Sequence, residues 1–127
     1  MKILERHIAD SDIQWLINQV VSSFHTTAPG VGLPLGNLTS QLLVNVYMHE
    51  FDMYLKQELK VTYYVRYADD FVILSDDKKY LKDILPKLEG FLNEKLRLML
   101  HEHKVYIKTF DSGVDFLGWI RTSFRNI

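Results

Sequence analysis

Asp69 and Asp70 stand side by side between two runs of β-branched and aromatic residues, Val61-Thr62-Tyr63-Tyr64-Val65-Arg66-Tyr67 and Phe71-Val72-Ile73-Leu74-Ser75. Each run reads as a strand. With only Ala68-Asp69-Asp70 between them, the pair predicts a β-hairpin carrying two acids at its tip. Hard divalent ions such as Mg²⁺ favour carboxylate oxygens and keep several waters, which leaves room for substrate phosphates. Phosphoryl transfer uses such ions, in a two-metal arrangement, to clamp the attacking and leaving oxygens. Successive strand residues point to opposite faces, so the two acids are unequal ligands unless the turn bends both inward. A third acid from another strand would complete such a site. The competing reading is a solvated surface turn, because Asp is a favoured turn residue.

Other residues capable of chemistry carry less. His101-Glu102-His103 alternates along a strand-like stretch with neither a cysteine nor a third histidine beside it, so a surface strand end accounts for it. His49-Glu50-Phe51-Asp52 begins like a zinc-protease helix, but Met53 stands where the second histidine is required. Asn37-Leu38-Thr39 fits a glycosylation acceptor only formally. Tyr63, Tyr64 and Tyr67 could stack nucleic-acid bases, although alternation with Val61 and Val65 equally suits core packing for Tyr63 and Tyr67. Leu33-Pro34-Leu35-Gly36 is a loop that opens a helix, and a helix N-terminus attracts phosphate and sugar oxygens. Asn37, Gln41 and Asn45 add an amide stripe at i, i+4, i+8, whose plainer reading is a cap followed by solvated amides.

The elements that position these residues follow from periodicity. Ile13, Leu16, Ile17, Val20, Val21 and Phe24 recur at helical spacing behind a cap at Ser11 or Asp12. Residues 1–8, with Ile3, Leu4 and Ile8 already in pattern, read as the end of an earlier helix and hence as a piece of a longer protein. Two prolines and three glycines between residues 25 and 36 make a loop. A long helix is expected from Asn37 to about Leu59, with Leu38, Leu42, Leu43, Val46, Tyr47, Phe51, Tyr54 and Leu55 on its apolar face. After the hairpin, Asp76 or Asp77 caps a helix with core positions Leu81, Ile84, Leu85, Leu88, Phe91 and Leu92. Pro86 predicts a kink or break inside it. Lys104–Thr109 and Val114–Ile120, joined through Asp111-Ser112-Gly113, are two further strand candidates. The order predicts an α+β fold, helices packed behind a small antiparallel sheet.

Composition bounds the function. The 127 residues, 47% apolar and 24% charged, are those of an ordinary globular domain. The absence of cysteine rules out disulfides and thiolate zinc sites. Charge near the N-terminus argues against a secretory signal, and no apolar run approaches the roughly 20 residues of a membrane span. A cytoplasmic protein with no membrane partner is expected. A formal net charge of -1 speaks against a free-standing nucleic-acid binder, whose affinity usually comes from a basic excess.

Three segments taken together are more specific than any one. Gly32-Leu33-Pro34-Leu35-Gly36-Asn37-Leu38-Thr39-Ser40-Gln41 with Asn45 and Tyr47, then Tyr64-Val65-Arg66-Tyr67-Ala68-Asp69-Asp70-Phe71-Val72-Ile73-Leu74, then Val114-Asp115-Phe116-Leu117-Gly118-Trp119, occur in this order and cover most of the chain after residue 32. The combination resembles the palm of bacterial retroelement reverse transcriptases, RNA-directed DNA polymerases. The resemblance implies a polymerase palm divided into a loop and helix over 30–60, a catalytic hairpin over 61–75, a helix over 77–97 and primer-holding strands over 104–120. By the same resemblance Asp69 and Asp70 are the catalytic, metal-binding acids, taking Mg²⁺ with Mn²⁺ as the alternative. Tyr67 and Ala68 lie near the primer end, and Gly36, Ser40 and Gln41 lie near the template and incoming nucleotide. Phe116, Leu117 and Gly118 support the primer, and Lys104 sits where such enzymes carry a basic residue near the nucleotide phosphates. The implied partners are an RNA template, a DNA primer and deoxynucleotides.

Leu35 before Gly36 and Gln41 after Ser40 resemble the diversity-generating retroelement type, in which this pattern accompanies error-prone copying. The group II intron and retron types, with Gln more often before that glycine and Pro after that serine, are the alternatives. The chain also departs from the family: the further acid of the first palm strand, the fingers and the thumb have no counterpart in it. An incomplete palm, inactive alone and prone to self-association through an exposed sheet edge, is therefore expected. A non-catalytic palm-like module that binds nucleic acid or protein is the other class considered. It has no need of Asp69 and Asp70, and their presence favours the enzyme.

Overall fold

The computed structural model describes residues 2–6, 8–23 and 38–121. The expected loop before the long helix, with Gly36 and Asn37, lies outside the described residues, as does Phe24. The architecture is α+β. The chain divides into two compact units, Met1–Glu50 and Phe51–Ile127, each taken by itself below.

In the first unit, α1 (Lys2–Glu5) is a single turn and α2 (Ser11–Ser22) is a three-turn helix. The cap of α2 is Asp10, one residue earlier than expected: its carboxylate accepts from the backbone N–H groups of Asp12 and Ile13 at 2.9 and 3.1 Å. The Gln14 amide donates to the Ile8 carbonyl at 2.6 Å and ties the entry segment to this turn. The apolar residues of α2 do keep helical spacing, yet none of its residues is buried. The third helix, α3 (Leu38–Met53), begins in this unit and carries its buried Met48. Arg6 pairs with Glu50 at 3.3 Å on its surface.

The second unit holds the hairpin. Here the end of α3 widens into a π-turn over Tyr54–Glu58, so the single α-helix expected to Leu59 changes its hydrogen-bond spacing near its end. The Lys56 ammonium donates to the carbonyls of Val61 and Thr62, both at 3.1 Å, and clamps the exit from this turn. Lys60 lies in the left-handed region at φ +55° and Thr62 forms a bend. The alternation of the following strand is therefore not in phase with the buried Val61. Strands β1 (Tyr63–Tyr67) and β2 (Asp70–Leu74) pair antiparallel, in register from Tyr63 opposite Leu74 to Tyr67 opposite Asp70.

That register corrects two expectations. Asp70 is a strand residue, so the loop is two residues, Ala68-Asp69, rather than three. Tyr63, Val65 and Tyr67 form the exposed face, at 66%, 49% and 58% exposure, and Tyr64 and Arg66 turn inward. Core packing of Tyr63 and Tyr67 is thus not what the fold uses. The inner face rests on Phe51, which is fully buried with Tyr64, Phe71 and Phe91 rings around it at centroid distances of 6.4, 5.1 and 6.1 Å. Tyr64 and Phe71 meet it edge-on, and pairs of this kind contribute about 0.5–1.5 kcal/mol each beyond the area they bury. Tyr54, placed by the π-turn, stacks on Phe91 at 4.1 Å.

Helix α4 (Lys78–Leu96) is capped by the Asp77 carboxylate and buries Ile84, Leu88, Leu92 and Leu96 along one stripe. Pro86 does not break it. The residue is exposed, away from the buried stripe, so packing of that stripe continues past the missing backbone donor. Arg97, at φ +53°, ends the helix.

Beyond it, the expected strand at Lys104–Thr109 does not form. Glu102–Lys104 is a 3₁₀ turn, and residues 105–109 join no ladder among the described residues. The single strand expected over Val114–Ile120 is instead a second hairpin, β3 (Val114–Phe116) and β4 (Trp119–Arg121). Leu117 and Gly118 both have positive φ, which reverses the chain within that stretch. Among the described residues the sheet content is thus two separate two-stranded ladders, with β2 lying beside β3.

Candidate active site

The two-residue loop determines where the acids sit. Ala68 has φ +51° and Asp69 does not share the positive sign, the pattern of a type II′ turn, which normally takes glycine at that first position. An alanine there carries roughly 1 kcal/mol of backbone strain. Asp69 follows at the apex, and Asp70 is the first residue of β2, paired with Tyr67. Both acids are exposed, and among the described residues neither carboxylate takes part in a hydrogen bond or ion pair.

Below the tip lies a polar cluster that sequence reasoning missed. The Asp52 carboxylate accepts from the Tyr64 hydroxyl at 2.7 Å and from Arg66 Nε at 2.8 Å through Oδ1, and from Arg66 Nη2 at 2.6 Å through Oδ2. This is the two-pronged guanidinium–carboxylate geometry that fixes direction as well as charge. Arg66 Nη1 donates to the carbonyl oxygen of Ala68 at 2.7 Å. The Arg66 side chain is 10% exposed and that of Asp52 is 28% exposed. The hydrogen bond that Arg66 donates to Asp52 holds its guanidinium even further above its already high ordinary value. Burial, then the bond to Asp52, pushes the Tyr64 hydroxyl far above the usual tyrosine range. An available signal was the lone cation in a strand of aromatic and β-branched residues, since an inward-facing guanidinium requires an anion nearby.

The remaining expected site residues fall in several places. Ser40 and Gln41 lie in the first turn of α3, in the first unit, with Gln41 exposed. Gly36 lies outside the described residues. Tyr67 and Ala68 flank the acids directly. Lys104 is exposed in its 3₁₀ turn rather than on a strand. Phe116, Leu117 and Gly118 form the bend of the β3–β4 hairpin, whose first strand lies beside β2.

The donor chemistry of the tip suits a hard divalent ion. Two adjacent carboxylates present oxygens to solvent without a competing partner among the described residues, and such ions complete their shell with water or phosphate. No group of three or more His, Cys, Asp or Glu residues that could hold a metal ion is assembled among the described residues.

Residues 2–120 match the family described as reverse transcriptase (RNA-dependent DNA polymerase). Protein YkfC of Escherichia coli is 27% identical over 155 aligned positions, covering 93% of this chain and 41% of that protein. The group II intron-encoded protein LtrA of Lactococcus lactis is 39% identical over 64 residues, half of this chain and 11% of that protein. The putative COX1/OXI3 intron 2 protein of Saccharomyces cerevisiae is 38% identical over 64 residues, half of this chain and 8% of that protein. The chain thus spans less than half the length of each of these curated relatives.

Proposed function

The chain belongs to the reverse transcriptase family, and we propose that it serves as the palm of an RNA-directed DNA polymerase, with Asp69 and Asp70 as its metal-binding acids. The observation that carries this reading is the pair of exposed, uncommitted carboxylates at the tip of a two-residue turn, in a chain matched to that family almost end to end. Mg²⁺, or Mn²⁺ in its place, would polarise phosphate oxygens and offset the charge that develops as the phosphodiester forms. The protein's own part is to hold two carboxylate oxygens at a fixed tip, next to Tyr67 and Ala68 at the primer end. The reading assigns the loop and helix of residues 30–60, with Gly36, Ser40 and Gln41, to the template and incoming nucleotide. It assigns Lys104 to the nucleotide phosphates and Phe116, Leu117 and Gly118 to the primer. The partners are an RNA template, a DNA primer and deoxynucleotides, in the cytoplasm. Self-association through an uncovered sheet edge is a further expectation, read by light scattering.

Within the family, Leu35 and Gln41 favour the diversity-generating type. A high misincorporation rate in the full-length enzyme, lowered in Gln41→Pro, would support that assignment, and faithful copying would remove it.

The test is binding of a deoxynucleotide to the purified chain with and without Mg²⁺. Binding that requires Mg²⁺ and is lost in Asp69→Ala and Asp70→Ala, with circular dichroism unchanged, is expected. Metal-independent RNA binding that survives both substitutions would identify a non-catalytic module instead.

A further inference from the structure

We infer that Asp52 and Arg66 form a bracket that positions the acid-bearing turn, acting through the main-chain oxygen of Ala68. The role of the tip as a metal site rests on the reading above; the bracket itself is read from geometry.

Three N–H groups of Arg66 carry the bracket. Two grip both oxygens of Asp52, at 2.8 and 2.6 Å, and the third reaches the Ala68 carbonyl at 2.7 Å. Asp52 stands in the last turn of α3, next to the fully buried Phe51, so the carboxylate is anchored in the core of its unit. The Tyr64 hydroxyl, donating to Asp52 at 2.7 Å, fixes the carboxylate from the neighbouring strand position. The chain of contacts thus runs from the buried end of a helix, through a planar cation, to the peptide that links Ala68 to Asp69. That peptide lies beside a residue at φ +51°, where alanine is strained and the turn needs support from outside itself. A guanidinium suits this task and an ammonium does not. Lysine keeps the charge but cannot grip a carboxylate with two donors while aiming a third at a carbonyl. The Asp69 and Asp70 carboxylates stay clear of the bracket, so their oxygens remain open to solvent and to an ion.

The test compares Arg66→Lys and Asp52→Asn with the unaltered chain, and uses Tyr64→Phe as a control that removes the Tyr64 hydroxyl, with its bond to Asp52 and its contact with Arg66, and leaves the Ala68 carbonyl within reach of Arg66 Nη1. Hydrogen exchange by NMR reports on the Tyr67 and Asp70 amides, the pair that closes the turn, against Leu88 and Leu92 amides in α4 as the reference for global opening. Paramagnetic broadening by Mn²⁺ reports affinity at the tip, its location checked by loss in Asp69→Asn. Loss of one charge-assisted hydrogen bond corresponds to about a tenfold change in a local equilibrium. Both bracket variants are therefore expected to speed exchange at Tyr67 and Asp70 about tenfold relative to the reference amides, and to weaken Mn²⁺ binding severalfold, whereas Tyr64→Phe does neither. Equal acceleration at every amide, or an unchanged turn in a folded variant, would overturn the bracket. If Arg66→Lys does not fold, Asp52→Asn carries the comparison. Absence of Mn²⁺ broadening in the unaltered chain would sink the metal reading of the tip, and the exchange rates would still decide for or against the bracket.

Discussion

Both hairpins of the second unit turn through two residues, and both place a non-glycine residue at positive φ, Ala68 at +51° and Leu117 at +58°. In the β3–β4 hairpin the turn is made locally. Gly118 follows at φ +79°, so both central residues carry the positive sign of a type I′ turn, and glycine takes the second position. In the β1–β2 hairpin no glycine is present at the bend. Its conformation is supported from below, by Arg66 on the Ala68 carbonyl and by the packing of Phe71 and Tyr64 on Phe51. One turn is thus specified by its own residues and the other by tertiary contacts. The second kind frees the apex for acids that contribute nothing to the bend.

Four substitutions test that contrast, beginning with the largest effect. Phe51→Ala removes the ring on which the inner face of β1–β2 rests, and about 4 kcal/mol of stability is expected to go with it. Denaturant unfolding measures this; a loss under 1 kcal/mol would mean that the hairpin does not depend on that core. Gly118→Ala meets no atom within 4 Å of its new Cβ, so the effect comes from the backbone at φ +79° alone. A cost of roughly 1–2 kcal/mol is expected, with faster amide exchange confined to β3 and β4. Exchange that also rises in β1 would show that the two hairpins are coupled through β2.

Tyr64→Phe is expected to cost about 1 kcal/mol at neutral pH by removing one hydrogen bond to Asp52. It also has a pH signature. The Tyr64 hydroxyl is raised in the folded state above its ordinary value of 10.0, so the folded chain keeps its proton longer than the unfolded one. The associated stability is complete below pH 10 and falls as pH climbs beyond it. The phenylalanine variant should show a shallower decline of stability in that range, and parallel curves for the two proteins would contradict the assignment. The smallest effect belongs to Ala68→Gly. Relief of strain at φ +51° and the greater freedom of glycine in the unfolded chain oppose each other at roughly equal size, about 1 kcal/mol each. A melting temperature nearly unchanged is expected, and a large drop would show that the alanine methyl has a contact of its own.

Much of this arrangement was legible from residue types. The strands around the acids, the capping aspartate of α4 and its core positions Ile84, Leu88 and Leu92 follow from periodicity, because each element is long enough for its pattern to repeat. Failures cluster where a left-handed residue shifts the phase. Lys60 and Thr62 reset the alternation ahead of β1, so Val61 misled the assignment of Tyr63 and Tyr67 to the core. Leu117 and Gly118 folded an expected strand back on itself. Lys104–Thr109 alternates correctly and still pairs with nothing among the described residues, since alternation marks a strand only where a partner edge exists. The acids of the tip were visible as a motif. The bracket was not, because Asp52 and Arg66 are 14 residues apart and meet only once the helix end and the strand are packed together.

The contact between Arg66 and the turn ends on a carbonyl, an atom that every amino acid presents in the same place. Position 68 is therefore open to different side chains in a way that positions 52 and 66 are not. Backbone angle sets one limit on its alphabet: glycine adopts a positive φ freely, and valine, isoleucine and threonine do so at a steep cost. A library randomised at residue 68 should return this ordering, with the bracket intact in every folded member.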